Sequence, residues 1–223
     1  MRLRLLPFVV VSAFAQTSEV PYAPNSDGPG PTFTIKRVHN CYPGSVSSIR
    51  RINFRNFKFL NFREDGEPSD GYTLKNGHFQ HDARFDHYSI DFDSIHYLPG
   101  AGASFGGSAL VILSWFAVGG SSSQGGNAKV FSISDNRLCV VQEIDWDTHF
   151  QAGQPTDSFD PITNTLVIRS AHYIPGDAHC CVSAMDVVTL RWDGTQYAPV
   201  PIRTELSEYG RTQGKTLPSR VPR

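Results

Sequence analysis

The chain is expected to be mainly β, with an antiparallel meander sheet curled into a half-barrel or sandwich and little helix. Three observations lead there. Ala109-Leu-Val-Ile-Leu-Ser-Trp-Phe-Ala-Val118 is a continuous apolar run of the kind found in strands buried on both faces. Turn pairs such as Asp65-Gly66, Asp70-Gly71, Asn76-Gly77, Asp135-Asn136 and Asp193-Gly194 cut the chain into short segments. Finally, no segment sustains an apolar period of 3.6 residues, so long helices are not expected. Strands joined by tight turns become antiparallel neighbours, and an apolar sheet face has to be covered. Phe54, Phe57, Phe59, Phe62, Trp115, Phe116, Phe131, Trp146 and Trp192 supply the bulk for that core.

In chain order, residues 1–15 have the pattern of a secretory leader. Arg2 and Arg4 precede the apolar stretch Leu5 to Val11, and Ala13-Phe14-Ala15 offers a small-x-small cleavage site. Residues 16–32 carry Pro21, Pro24, Pro29 and Pro31 among Ser, Asn and Gly, a composition that buries too little apolar surface to order itself. This stretch is expected to be a disordered linker. A single β-rich domain is expected over 33–204, a length that supports a real core. From Glu205 to Arg223 the chain is expected to be a disordered tail.

Within the domain, Ser45 to Arg51 has room for one helical turn. Ile52-Asn-Phe-Arg-Asn-Phe-Lys-Phe59 alternates like a strand, with a slip at Arg55-Asn56 that suggests a bulge. Gly119 to Asn127, rich in Gly and Ser, is expected to be a flexible hairpin loop after the long apolar strand. Further strands are expected at 129–133, 138–146, 166–173 and 185–192.

Charge excludes two classes of function. The sequence holds 20 Lys and Arg against 21 Asp and Glu, and removing Arg2 and Arg4 with the leader makes the balance about −3. Such a chain lacks the basic footprint of a nucleic-acid binder, and the polybasic cluster that holds proteins on anionic membranes. No later apolar run is long enough for membrane insertion by a helix. A secreted or periplasmic location is therefore expected.

The four cysteines, Cys41, Cys139, Cys180 and Cys181, are expected to form two disulfides in an oxidising compartment, and the three possible connectivities stay open. Pairing within Cys180–Cys181 needs a strained peptide, so the preferred arrangement joins one vicinal cysteine to Cys139 and the other to Cys41. A zinc site from His172, Asp177, His179, Cys180 and Cys181 is disfavoured, because adjacent cysteines rarely aim both sulfurs at one ion.

The polar constellation that stands out lies on the strand 138–149. Alternation places Val140, Gln142, Ile144, Trp146 and Thr148 on one face, and Val141, Glu143, Asp145, Asp147 and His149 on the other. Neighbours in the second set are about 6.6–6.8 Å apart along the strand. Three carboxylates and an imidazole in a row repel unless cations intervene, so Glu143, Asp145, Asp147 and His149 form a candidate metal site, with calcium as the ion suited to hard oxygen ligands. Two carboxylates so spaced also fall within the roughly 6.5–9.5 Å of inverting glycosidases. The simpler reading is a solvated strand face neutralised by nearby basic residues. His78, His81, His87 and His96 with Asp82, Asp86, Asp91 and Asp93 form a looser polar group, expected on loops and strand exteriors. No catalytic residue is assigned, and no cofactor beyond calcium is expected.

Several blocks resemble a group of secreted bacterial proteins that have no assigned activity. They are Ile52-Asn-Phe-Arg-Asn-Phe57, Thr73-Leu-Lys-Asn-Gly77, Ala109-Leu-Val-Ile-Leu113, Asp147-Thr-His149, Phe159-Asp160 and the final Asp177-Ala-His-Cys-Cys181 … Arg191-Trp-Asp-Gly194. The Cys-Cys-then-Trp ending is also similar, more distantly, to mycobacterial cell-envelope lipoproteins of the LppP/LprE kind. That group often carries an acidic Asp-x-x-Gly-Asp-Gly stretch before the long apolar strand, whereas Leu98 to Ala109 here has no carboxylate. The resemblance implies no activity. The expected function is an exported structural or binding module of the cell envelope or extracellular space, with an envelope component or polysaccharide as its partner. The alternative is a hydrolase acting on an extracellular or cell-wall polysaccharide through the carboxylate cluster.

Overall fold

The long apolar run forms β6 (Ser108–Gly119), flanked by β5 (Asp86–Leu98) and β7 (Ser121–Ser134). The computed structural model describes residues 33–217 except 64–65, 84–85, 101–106, 120, 148–156, 175, 178–181 and 201. Outward from this centre, β4 (His78–Ala83) pairs with β5, β8 (Arg137–Asp147) pairs with β7, and β1 (Phe33–Cys41) closes the far edge against β8. The β7–β8 hairpin turns through Asp135 and Asn136, both at positive φ (50° and 60°), a conformation that suits Asp and Asn. A second sheet holds β9 (Asp157–Asp160), β10 (Thr165–His172), β11 (Ala184–Trp192) and β12 (Tyr197–Pro199), with β13 (Arg203–Leu206) also pairing with β11. All pairings are antiparallel. Neither sheet closes on itself, and the half-barrel or sandwich expectation resolves to a sandwich.

Both faces of the six-stranded sheet are used. Leu110, Ile112, Ala128, Val130, Ile144 and Trp146 pack on Leu166, Ile168, Val188, Leu190 and Trp192 of the second sheet. On the opposite face, Ala109, Val111, Leu113, Phe131, Leu138 and Val140 are covered by the segment 42–74. That cover consists of two 3-10 turns, Ile49–Arg51 and Phe54–Asn56, and the hairpin β2 (Lys58–Phe62) with β3 (Pro68–Thr73). The hairpin covers only part of this face, and the remainder carries the candidate site.

Four expectations are corrected. Ile52 to Phe57 is not a strand: Asn56 N–H donates to Asn53 O, and the resulting turn brings Phe54 and Phe57 to 5.1 Å of each other over Phe131. Residues 121–127 are not a loop but the first half of β7, for a reason given below. Val140 and Gln142 do not share a face, because an irregularity between Val130 and Phe131 in the β7–β8 register sends Val140 to the hairpin side and Gln142 to the second sheet. The region from Glu205 holds the end of β13 and helix α1 (Glu208–Thr212), whose first turn is capped by the Ser207 hydroxyl accepting from Gly210 N–H.

Candidate ligand-binding pocket

The uncovered part of the sheet is a concavity of about 370 Å³ between the β2–β3 hairpin and strands β5 to β8. Its lining is Asn61, Tyr72, Tyr88, Ile90, Leu113, Trp115, Asn127, Lys129 and Asp145. Register explains the assembly. Asp145 lies opposite Asn127, which lies opposite Leu113; one pleat along, Trp115 lies opposite Gly125. The hairpin contributes Tyr72, stacked on Phe59 at 5.3 Å and leaning on Phe79, whose ring meets Tyr88 edge-on.

Glycines shape the floor. A Cβ on Gly125 would lie 2.6 Å from Trp115 Cζ2 and 2.7 Å from Cε2, so the indole rests directly against the β7 backbone. Gly126 is covered in the same way by Trp146 on the other face. The Gly-Ser stretch is therefore a strand with two seats for tryptophan rings, one per face.

The carboxylates on β8 fall on one face, as alternation requires, but they are not left to repel one another. Lys129 is ion-paired to Glu143, and Asn127 Nδ2 donates to Asp145. Lys36 on β1 stands opposite Glu143. Asp145 is exposed as a residue, but its carboxyl lies against the pocket lining and Asn127. This partial burial raises its carboxyl above the ordinary range, and the Asn127 hydrogen bond, Lys129 and Lys36 oppose the rise. Burial likewise pushes up the phenols of Tyr72 and Tyr88, which therefore stay neutral donors. Asp147 lies opposite Gly125, one pleat beyond Asp145. His149, the last member of the candidate metal site, lies outside the described residues.

Among the described residues, the group of three metal-ligating side chains whose donor atoms lie within 4.8 Å of one another is His39, Cys41 and Cys139. Glu143, Asp145 and Asp147 do not converge in this way, because the strand holds successive carboxylates a full pleat apart. The His39 group is occupied otherwise, since Cys41 and Cys139 form a disulfide across β1 and β8. The expected links from Cys139 and Cys41 to the vicinal cysteines are thus corrected: the two partner each other, being directly opposed in register. Cys180, Cys181 and His179 lie outside the described residues. Of the remaining groups considered for zinc, His172 Nδ1 bonds Asp186 at 3.1 Å, and Asp177 accepts from Ser183 and Ile174.

The looser polar group lies on β4 and β5, where His78 bonds Asp91 (2.7 Å) and His87 bonds Asp82 (2.8 Å) on an exposed surface. Asp93, at a register shift in β5, is raised to about 6, mainly by burial, with Ser114 donating to it.

Of the pocket residues, alternation on β8 picked out Asp145 alone. Lys129 and Asn127 carried the same period on the neighbouring strand, but the glycines before them masked it. No helix among the described residues is long and apolar enough to cross a membrane. No protein-family model, curated protein or solved structure matches the chain.

Proposed function

We propose that the chain is an exported binding module of the cell envelope or extracellular space, and that the pocket beside the β2–β3 hairpin takes a saccharide. The observation that carries this reading is the composition of one concavity. Three aromatic side chains, Tyr72, Tyr88 and Trp115, sit with Asn61, Asn127, Lys129 and Asp145 around about 370 Å³. Sugars present C–H faces that stack on aromatic rings, and in-plane hydroxyls that need alternating donors and acceptors. The volume lies in the range of small-ligand sites. The Cys41–Cys139 disulfide and the leader-like N-terminus support export.

Titration with neutral oligosaccharides, followed by tryptophan fluorescence, tests the reading. The parent is expected to saturate, and Trp115→Ala to lose at least about tenfold in affinity, about 1.4 kcal/mol, and to melt below the parent because the ring also covers Gly125. Absence of saturation with every sugar tested would sink the proposal.

A second reading, polysaccharide hydrolysis, is favoured by one observation: the raised carboxyl of Asp145, one pleat from Glu143. A carboxyl shifted upward is shifted in the direction that the general acid of such a reaction needs. Release of reducing ends, abolished by Asp145→Asn with binding retained, would establish the enzyme in place of the module.

A further inference from the structure

Resting on the saccharide reading of this pocket, we propose that the sugar it takes carries a protonated amine, a hexosamine, with its ammonium on Asp145 and its ring face on Trp115. The argument starts from the charges. Lys129, the cation of the lining, is already committed to Glu143. Asp145, the lining's anion, has one hydrogen-bond partner among the described residues, the neutral amide of Asn127. Its remaining acceptor positions are therefore available to a donor arriving through the mouth. An ammonium brings three donors and a charge opposite to that of the carboxylate, whereas a hydroxyl brings one donor and no charge.

The rings point the same way. Tyr72, Tyr88 and Trp115 surround the space, and the faces of such rings attract a cation. Burial keeps both phenols un-ionised, so neither competes with Asp145 as an anion.

Register and the shared lining place both ends in one concavity. Trp115 stands opposite Gly125 and Asp145 opposite Asn127, two residues further along β7. Both side chains reach towards β7, where the seat of the ring on Gly125 lies one pleat, about 6.6–6.8 Å, from the Asn127 that bonds Asp145. Gly125 holds the platform at that place: with no Cβ, it lets the indole lie against the strand. Gly125 acts through Trp115 and is a positioning residue.

The test compares oligomers of glucosamine, N-acetylglucosamine and glucose of equal length, titrated near neutral pH against the full chain. The amine form is expected to bind about tenfold more tightly than the acetylated form, the combined effect of a shielded ion pair and a cation over a ring. Asp145→Asn is expected to erase that ratio, bringing the amine form down to the affinity that the same variant has for the neutral sugars. Gly125→Ala, whose new methyl would meet the Trp146 carbonyl as well as the Trp115 ring, is expected to weaken all three sugars. Equal affinity for amine and acetamide forms would overturn the hexosamine assignment and leave the saccharide reading standing. An Asp145→Asn variant that keeps the ratio would do the same. Failure of every oligomer to bind the parent would overturn both. The ratio measured on the parent decides the matter even where a variant does not fold.

Discussion

Gln142 ties the two sheets together by imitating a strand. Its side-chain Nε2 donates to Tyr197 O at 2.9 Å, and its Oε1 accepts from Tyr197 N–H at 2.8 Å, with the residue only 1 % exposed. The amide so completes the backbone bonding of β12 from across the sandwich. Gln142→Leu fills similar space but leaves a buried N–H and a buried carbonyl without partners. At about 1–3 kcal/mol for each unsatisfied group, the variant is expected to lose roughly 2–6 kcal/mol, read as a lower urea midpoint. An unchanged midpoint would mean that water or a backbone shift replaces the pair. The sequence announced half of this, a glutamine in an otherwise apolar period with Ile144 and Trp146. Its partner lies 55 residues on, and no local pattern carries that information. The carboxylates were readable for the opposite reason: Glu143 and Asp145 follow the two-residue repeat of one strand. Their neutralisation by Lys129 and Asn127 depends on pairing with another strand.

Strand β7 shows where composition misleads. Ser and Gly disfavour strands when judged one residue at a time, yet Gly125 and Gly126 are in a strand because Trp115 and Trp146 from the neighbouring strands lie over them. The cross-strand pair, and not the propensity, decides. The pair β10–β11 carries a consequence that depends on pH. His172 Nδ1 bonds Asp186 Oδ2 at 3.1 Å, while Asp186 also accepts from Thr204 on β13 at 2.8 Å. The Asp186 hydrogen bond raises the imidazole above its ordinary value, against the opposing effect of burial, with the charges of Asp186 and Asp177 assisting. A raised histidine stabilises the fold fully below the unfolded value of about 6.5 and loses that contribution as pH climbs through the folded value. The stability advantage of the parent over His172→Asn is therefore expected to be largest in mild acid and to shrink towards mild alkali, followed by denaturant midpoints across that window. Parallel pH curves for the two proteins would remove the charged form of His172 from the account.

The antiparallel order and the central place of β6 were written in turn residues and apolar runs, whereas β1, β5, β9, β12 and β13 were not singled out. Nor was the division into two sheets written there. A meander pattern does not say after which strand the chain leaves one sheet for another, nor that the first strand joins the eighth. That last pairing is a long-range closure, entropically costly, and in the structure it is covalently fixed. Cys41 lies opposite Cys139 across β1 and β8, closing a loop of 98 residues that contains β2 to β7, and with them most of the pocket. A crosslink over such a length restricts the unfolded chain strongly, and its loss is expected to cost about 2–5 kcal/mol. The double substitution Cys41→Ala with Cys139→Ala isolates this bond from Cys180 and Cys181. The variant is expected to melt well below the parent, and the parent in dithiothreitol to fall at least as far. A double variant as stable as the parent would show that β1 is held by its ladder alone. Non-reducing peptide mapping decides the pairing itself: a 41–139 linked peptide agrees with the opposed register, whereas Cys139 joined to Cys180 or Cys181 would overturn it.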